Sequence, residues 1–445
     1  MQSVESAEPR GLAPLLSPGV RLALVTGTFF IVALVRIGVP DHYLFDEQYY
    51  VPAAARLALG IDVINREHPM LGKELLALFL SAFGGAPAAW RIGPLLFGCL
   101  GLWTFSRAVG VHAACRRTET IFAVLLASSF LLFSLSRIAM LDAFMFGFCG
   151  AATLCFVNGR WNWAGLFAGL ATACKWSAAP LLALFCLSVL PRSPLRAVGM
   201  GIIALLAYFA SFIPGAFMAD PLPVSDWAAL HYAILTLHGD YIRLHAYASQ
   251  WWQWIANTAP IWLLHGDNGA LVMTGNPVSM PMIPLALIWA GYVRERRALA
   301  PAAAFAGLIA FWAMSGKDQQ FIYHYLLPMT FGLAVAAIGI SRLWPEHRPI
   351  ALGICALPMA AFAWFFPVLT AAPGAGPNGY DILPGWEVRM RNGPATPEKQ
   401  VDGERREGCL YFPQDCWPPS GADRDAARTK FLELRARQEA AKAER

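Results

Sequence analysis

The sequence predicts an all-α integral membrane protein: a polytopic bundle of about eleven transmembrane helices whose polar chemistry sits on the first extracytoplasmic loop. Three observations predict it. Of 445 residues, 57% are hydrophobic, and mean hydropathy is +0.47. Charged residues make up 14%, against about 25% in an ordinary soluble domain. Basic residues gather in alternate loops, the pattern left when short cytoplasmic loops retain Lys and Arg. This composition excludes a soluble enzyme, and no nucleic-acid partner is expected. The net charge of +5 is small, and its distribution carries the information.

The apolar segments come in order at residues 21–39, 91–109, 119–135, 143–157, 163–174, 176–190, 197–214, 281–293, 299–314, 327–340 and 350–370. The first is too long, and wrongly flanked, for a cleaved signal peptide. With the N-terminus in the cytoplasm, Arg116, Arg117, Arg160, Arg192, Arg196, Arg294, Arg296, Arg297, Arg342 and Arg348 all fall on the cytoplasmic face of a plasma or inner membrane. The outer face receives residues 40–90, 136–142, 215–280 and 315–326, and the long 215–280 loop holds a single basic residue, Arg243. One choice tests the scheme. A single helix over 163–190 would invert every later basic loop, whereas two short helices turning at Lys175 keep the rule intact. The sequence therefore divides into a membrane domain, 1–370, and a polar tail, 371–445, facing outward. The tail opens with Pro373, Gly374, Gly376, Pro377 and Gly379 and ends in a charged stretch, Asp423–Arg445, expected to form an exposed helix. Seven of nine cysteines lie in or beside apolar runs, as small core residues do; Cys409 and Cys416 lie in the tail, either paired or free.

Ionisable residues beside spanning helices are costly and are functional candidates. Here they cluster outside. The first outer loop carries Asp46-Glu47 and, further on, His68-Pro69-Met70-Leu71-Gly72-Lys73; Arg91 follows at a helix start. Then come Ser136-Arg137, Leu141-Asp142, Lys175, His245-Ala246-Tyr247-Ala248-Ser249 with Trp254, and Phe321-Ile322-Tyr323-His324-Tyr325. The carboxylate pair offers a general base, and Lys73, Arg91, Arg137, Lys175 and His68 offer cations for an anionic group. A phosphate at the membrane surface is the natural anion. It leaves readily, so one base and several cations suit transfer of a sugar from a lipid phosphate to a hydroxyl, with the 215–280 loop excluding water. Bland readings compete. Arg137 and Asp142 fit interfacial anchors, Lys175 a snorkelling side chain, and the tryptophans an aromatic belt. His231, His238 and His245 recur two helical turns apart, too far to share a metal ion, and no metal site is expected.

In their order and placement these motifs resemble the protein O-mannosyltransferase family, phospholipid-carrier-dependent glycosyltransferases of the GT-C membrane fold. The matching residues are Asp46-Glu47, His68 through Lys73, Arg91, Ser136-Arg137, Leu141-Asp142, Lys175, His245, Tyr247, Ser249, Trp254, Phe321, Tyr323, His324 and Tyr325. The resemblance implies an inverting transfer of mannose from polyprenyl-phosphate mannose to Ser or Thr of an exported protein, without metal or cofactor. It implies that Asp46 is the base and that Glu47 orients the acceptor or the loop. His68, Lys73, Arg91, Arg137, Asp142, Lys175, His245, Ser249, Trp254, Tyr323 and His324 would bind substrate or hold the site together. Met70 and Ile255 stand where the family has Pro, and 215–280 is too short for the soluble lumenal domain of eukaryotic members, a bacterial-type economy. Two alternatives stay open. One is the same fold moving another carrier-linked sugar to a lipid or glycan. The other is a lipid-linked sugar transporter, which would want polar residues at mid-membrane and repeated halves.

Overall fold

The computed structural model describes residues 17–236, 247–264, 269–317 and 319–376, together with Thr429, Glu433 and Ala436. His238, Arg243, His245, Cys409, Cys416 and the rest of the tail lie outside the described residues. Thr429, Glu433 and Ala436 are helical and exposed, as expected of the tail's charged stretch.

Every apolar segment read from the sequence is helical. In chain order these are α1 (Pro18–Leu34), α4 (Pro87–His112), α5 (Arg116–Ala127) with α6 (Phe130–Leu135), α7 (Leu141–Val157), α8 (Trp161–Cys174), α9 (Ala179–Val189), α10 (Pro194–Ala210), α13 (Ser279–Tyr292), α14 (Leu299–Met314), α15 (Leu326–Leu343) and α16 (Arg348–Leu369). Proline opens α1, α4, α10 and α16 within their first two residues, where its missing N–H is harmless. Among the described residues, five stretches are long and apolar enough to cross a membrane: Pro87–His112, Pro194–Phe217, Arg296–Met314, Ile322–Leu343 and Arg348–Leu369. Four shorter apolar stretches, Pro18–Leu34, Leu141–Val157, Trp176–Val189 and Ser279–Tyr292, accompany them. The predicted single span over 119–135 is broken: Ser128 ends α5 and the Ser129 hydroxyl caps α6. The alternative of one helix over 163–190 is excluded. α8 ends at Cys174, Lys175 is extended, and the chain re-enters α9 through a 3₁₀ turn, Trp176–Ala178.

α15 is buried along almost its whole length and forms the centre of the bundle. α16 and α10 lie outside it with apolar faces exposed (Leu205, Leu206, Met359 and Trp364 among them), surfaces suited to lipid acyl chains and costly to leave in water. Close approach rests on small residues. On α8, a Cβ at Gly165 or Gly169 would collide with the carbonyl oxygens of Met200 and Ala204 on α10.

The outer segments hold the remaining elements: α2 (Glu47–Ala58), α3 (Leu71–Phe83), α11 (Trp227–Thr236) and α12 (Trp251–Ile255). They also depart from the all-α expectation. β1 (Ile261–Leu264) pairs antiparallel with β2 (Leu271–Met273), Trp262 opposite Val272. These apolar runs are too short to cross a bilayer, and their backbone groups pair with each other while the side chains join the core. A clasp joins the two ends of the bundle: the Arg36 guanidinium, just past α1, donates to the Thr370 and Ala371 carbonyls, just past α16.

Candidate active site

The first loop divides the Asp46-Glu47 pair. Successive side chains at a helix start point about 100° apart, and here one carboxylate faces inward and the other the cleft. Glu47, the first residue of α2, is 0% exposed, as is Arg91 on α4. Its Oε1 accepts from Arg91 Nε at 2.9 Å and the Ala139 amide at 2.8 Å; Oε2 accepts from Arg91 Nη2 and the Leu44 amide, both at 2.8 Å. Both oxygens of Glu47 are committed to tying the loop to α4 and to the turn before α7. Arg91 spends its other N–H groups on the Ile37, Pro40 and His42 carbonyls.

Two further cations expected near an anion also hold backbone. Arg137 donates to the Ala33, Val35 and Arg36 carbonyls at the C-terminal end of α1, where unpaired carbonyls and the helix dipole favour positive charge. Lys73 Nζ donates to the Ile64, Asn65 and His68 carbonyls, closing the loop before α3. Burial pushes the Lys73 ammonium down to about 7. Ser249 and Trp254 form another brace. The Trp254 indole donates to Ser249 Oγ at 2.9 Å, and the Ser249 amide to the Gln320 carbonyl at 2.7 Å. Trp254 is buried and so is not part of an interfacial belt; Trp252 is exposed. Arg137 and Asp142 are likewise buried rather than anchored at an interface.

Asp46, His68, Lys175, Tyr323 and His324 line one cleft of about 360 Å³. Lys175, placed by the break between α8 and α9, donates to Asp142 Oδ2 at 2.7 Å and lies 4.4 Å from the centre of the Tyr323 ring. Asp142 Oδ1 is buried without a protein partner. The Tyr50 hydroxyl, four residues on from Asp46, donates to Asp46 Oδ2 at 3.3 Å. Burial raises the Asp46 carboxyl to about 6; Lys175 pulls it back, Asp142 pushes it up and the Tyr50 bond lowers it slightly. A carboxylate in that range is mostly ionised at neutral pH and is a stronger base than an ordinary aspartate, the condition of an effective general base. The His324 ring stacks on Trp312, centroids 4.0 Å apart, giving a flat apolar wall. The same cleft takes in Tyr50, Asn65, Glu67, Trp176, Trp312, Lys317 and Gln319, which the motifs did not single out. Lys317 had a signal: beyond Lys175, the outer segments 215–280 and 315–326 hold only Arg243 and Lys317 as cations. Burial and the neighbouring Lys175 charge hold its ammonium below the usual range. Among the described residues, no group of His, Cys, Asp or Glu is placed to hold a metal ion.

An ammonium paired with a buried carboxylate, a second carboxyl of raised affinity for protons and an aromatic wall thus meet in one cleft. No family model matches the chain. It is 24% identical to a polyprenol-phosphate-mannose–protein mannosyltransferase of Mycolicibacterium smegmatis, over 81% of this chain and 94% of that one. Enzymes of the same name from Corynebacterium glutamicum and Mycobacterium tuberculosis are also 24% identical, covering 77% and 79% of this chain and 85% and 87% of theirs. Among solved structures, the yeast Pmt1-Pmt2 protein O-mannosyltransferase complex bound to its sugar donor superposes with a TM-score of 0.71. The identity is 12%, over 88% of this chain and 95% of that one. ArnT of Cupriavidus metallidurans bound to undecaprenyl phosphate gives 0.57 at 15% identity, over 93% and 75%. The fold is that of the GT-C glycosyltransferases, as the ordered motifs imply.

Proposed function

We propose that the chain is a membrane glycosyltransferase that moves mannose from polyprenyl-phosphate-mannose to Ser or Thr hydroxyls of exported proteins, with inversion, at the extracytoplasmic face. The observation that carries the reading is the pairing of Asp46 and Lys175 on one cleft. Asp46 takes the proton of the acceptor hydroxyl as its oxygen bonds to the anomeric carbon. The bond to the carrier phosphate breaks on the opposite side, and a single displacement of this kind inverts the anomeric centre. Lys175 stabilises the charge that gathers on the leaving phosphate, with Asp142 holding the ammonium in place. Tyr50 orients the base. The names of the curated relatives support the donor and the protein acceptor.

The topology belongs to the same reading. All eleven apolar segments cross the membrane, shorter ones tilted among their neighbours, with the N-terminus cytoplasmic and the tail outside. Residues 1–370 form the catalytic unit and 371–445 an appendage, and the reaction uses no cofactor beyond the lipid-linked donor. The test is a transfer assay with protein in liposomes, polyprenyl-phosphate carrying radiolabelled mannose, Ser/Thr-rich peptides and extracted lipids. Label in peptide with wild type but not with Asp46→Asn supports the reading. Label in lipid would move the acceptor assignment to a lipid or glycan. Label crossing the bilayer without any product would replace the transferase by a transporter.

A further inference from the structure

A chain of hydrogen bonds runs from the wall of the cleft to the outer helix α11. Trp176 lines the cleft directly after Lys175. Its indole Nε1 donates to the Tyr208 hydroxyl of α10 at 2.9 Å. Tyr208 Oη lies 2.9 Å from His231 Nε2, and His231 Nδ1 lies 2.6 Å from the Trp227 carbonyl oxygen. These contacts have one consistent polarity. A carbonyl only accepts, so His231 Nδ1 carries the proton; an indole N–H only donates, so the Tyr208 oxygen accepts it. The Tyr208 hydroxyl hydrogen is then left for His231 Nε2, which accepts in that tautomer. The His231 ring also stacks on Trp176, centroids 6.2 Å apart and planes 29° apart. One turn along α11, Ile234 reaches the same cleft. The relay therefore joins two elements that border the cleft, through residues that do not touch the base.

We propose that His231 is a positioning residue: acting through Tyr208, it fixes the Trp176 indole beside Lys175 and couples the seating of α11 to the shape of the donor site. The proposal deepens the transferase reading and rests on it. A packing role alone would lower stability and leave the affinity for donor untouched. The relay instead predicts an effect at one end when the other end is altered.

The full chain in liposomes carries the test, as Trp176→Phe, Tyr208→Phe, His231→Leu and His231→Gln. Hydrogen exchange of the α11 amides reads the coupling without any substrate. Trp176→Phe, which removes the indole N–H from Tyr208 while keeping an aromatic ring against His231, is expected to speed α11 exchange by about two- to tenfold, the worth of one net hydrogen bond. His231→Leu is expected to raise KM for polyprenyl-phosphate-mannose by a similar factor, about two- to tenfold, with kcat little changed. His231→Gln, whose amide oxygen accepts from Tyr208, restores the wild-type KM. Unchanged α11 exchange in both Trp176→Phe and Tyr208→Phe overturns the coupling, as does a folded His231→Gln that behaves like His231→Leu. Wild-type protein that transfers no mannose while its α11 exchange still responds to Trp176→Phe would refute the assigned reaction and leave the relay standing.

Discussion

Replacing Glu47 by Gln separates the two members of the carboxylate pair. The amide keeps the volume and one acceptor oxygen. Its NH₂ must then face two N–H donors, because each carboxylate oxygen of Glu47 takes one bond from Arg91 and one from a backbone amide. The change also leaves Arg91 charged and fully buried with no counter-charge. Breaking one side of a buried, hydrogen-bonded ion pair costs about 3–5 kcal/mol. For a chain of this size, whose unfolding entropy is about 0.9 kcal/mol/K, that amounts to a fall of roughly 3–5 °C in thermal midpoint. The assay is the unfolding midpoint in detergent, measured beside Asp46→Asn under the same conditions. Glu47→Gln should lose stability and, with it, activity. A Glu47→Gln protein as stable as wild type and yet inactive would refute the assignment of Glu47 as a tie and return it to the chemistry.

Asp46→Asn should behave in the opposite way: transfer falls by about 10²–10⁴ in kcat, the usual worth of a general base, with no loss of stability at neutral pH. The sign follows from its raised pKa. Wild-type Asp46 favours the fold while protonated, and that contribution is lost as pH rises through about 6. Activity runs against this, since the base must be ionised: kcat/KM should rise with pH to a plateau, with its acid limb near 6, and be flat in Asp46→Asn. Lys175→Met removes the cation that holds Asp46 down, so the residual activity should show an acid limb displaced above that of wild type. The orphaned Asp142 carboxylate should cost about 3–5 kcal/mol of unfolding free energy, read as a lowered unfolding midpoint.

The helices were readable because crossing a bilayer demands long apolar runs, and the turn at Lys175 was readable because the alternative misplaced every later arginine. The roles within the polar cluster were not. Asp46 and Glu47 are chemically alike and adjacent; only the helix start that points one into α4 and the other into the cleft separates them. Lys73, Arg91 and Arg137 carry the charge a phosphate would need. Which cations face the cleft and which cap loose carbonyls depends on where loop 40–90 folds back, a matter of contacts far apart in sequence. Tyr50 was within reach, four residues after Asp46 on the helix that Asp46 begins. Lys317 and Trp312 reach the cleft from the far end of the chain, and no local pattern ties them to Asp46. The hairpin in the 215–280 loop escaped because its two strands are shorter than any period can register.

The Arg36 clasp also constrains how the chain is threaded. Two backbone segments joined by one guanidinium lie on the same side of the bilayer, whichever side that is. From residue 36 to residue 370 the chain therefore crosses an even number of times, as the proposed threading of eleven segments requires once α1 is counted. A scheme that merges two spans or splits one places the two ends on opposite faces and pulls the clasp apart. One arginine thus checks the parity of the whole fold, and cysteine accessibility at positions 36 and 371 can read it without counting any helix between them.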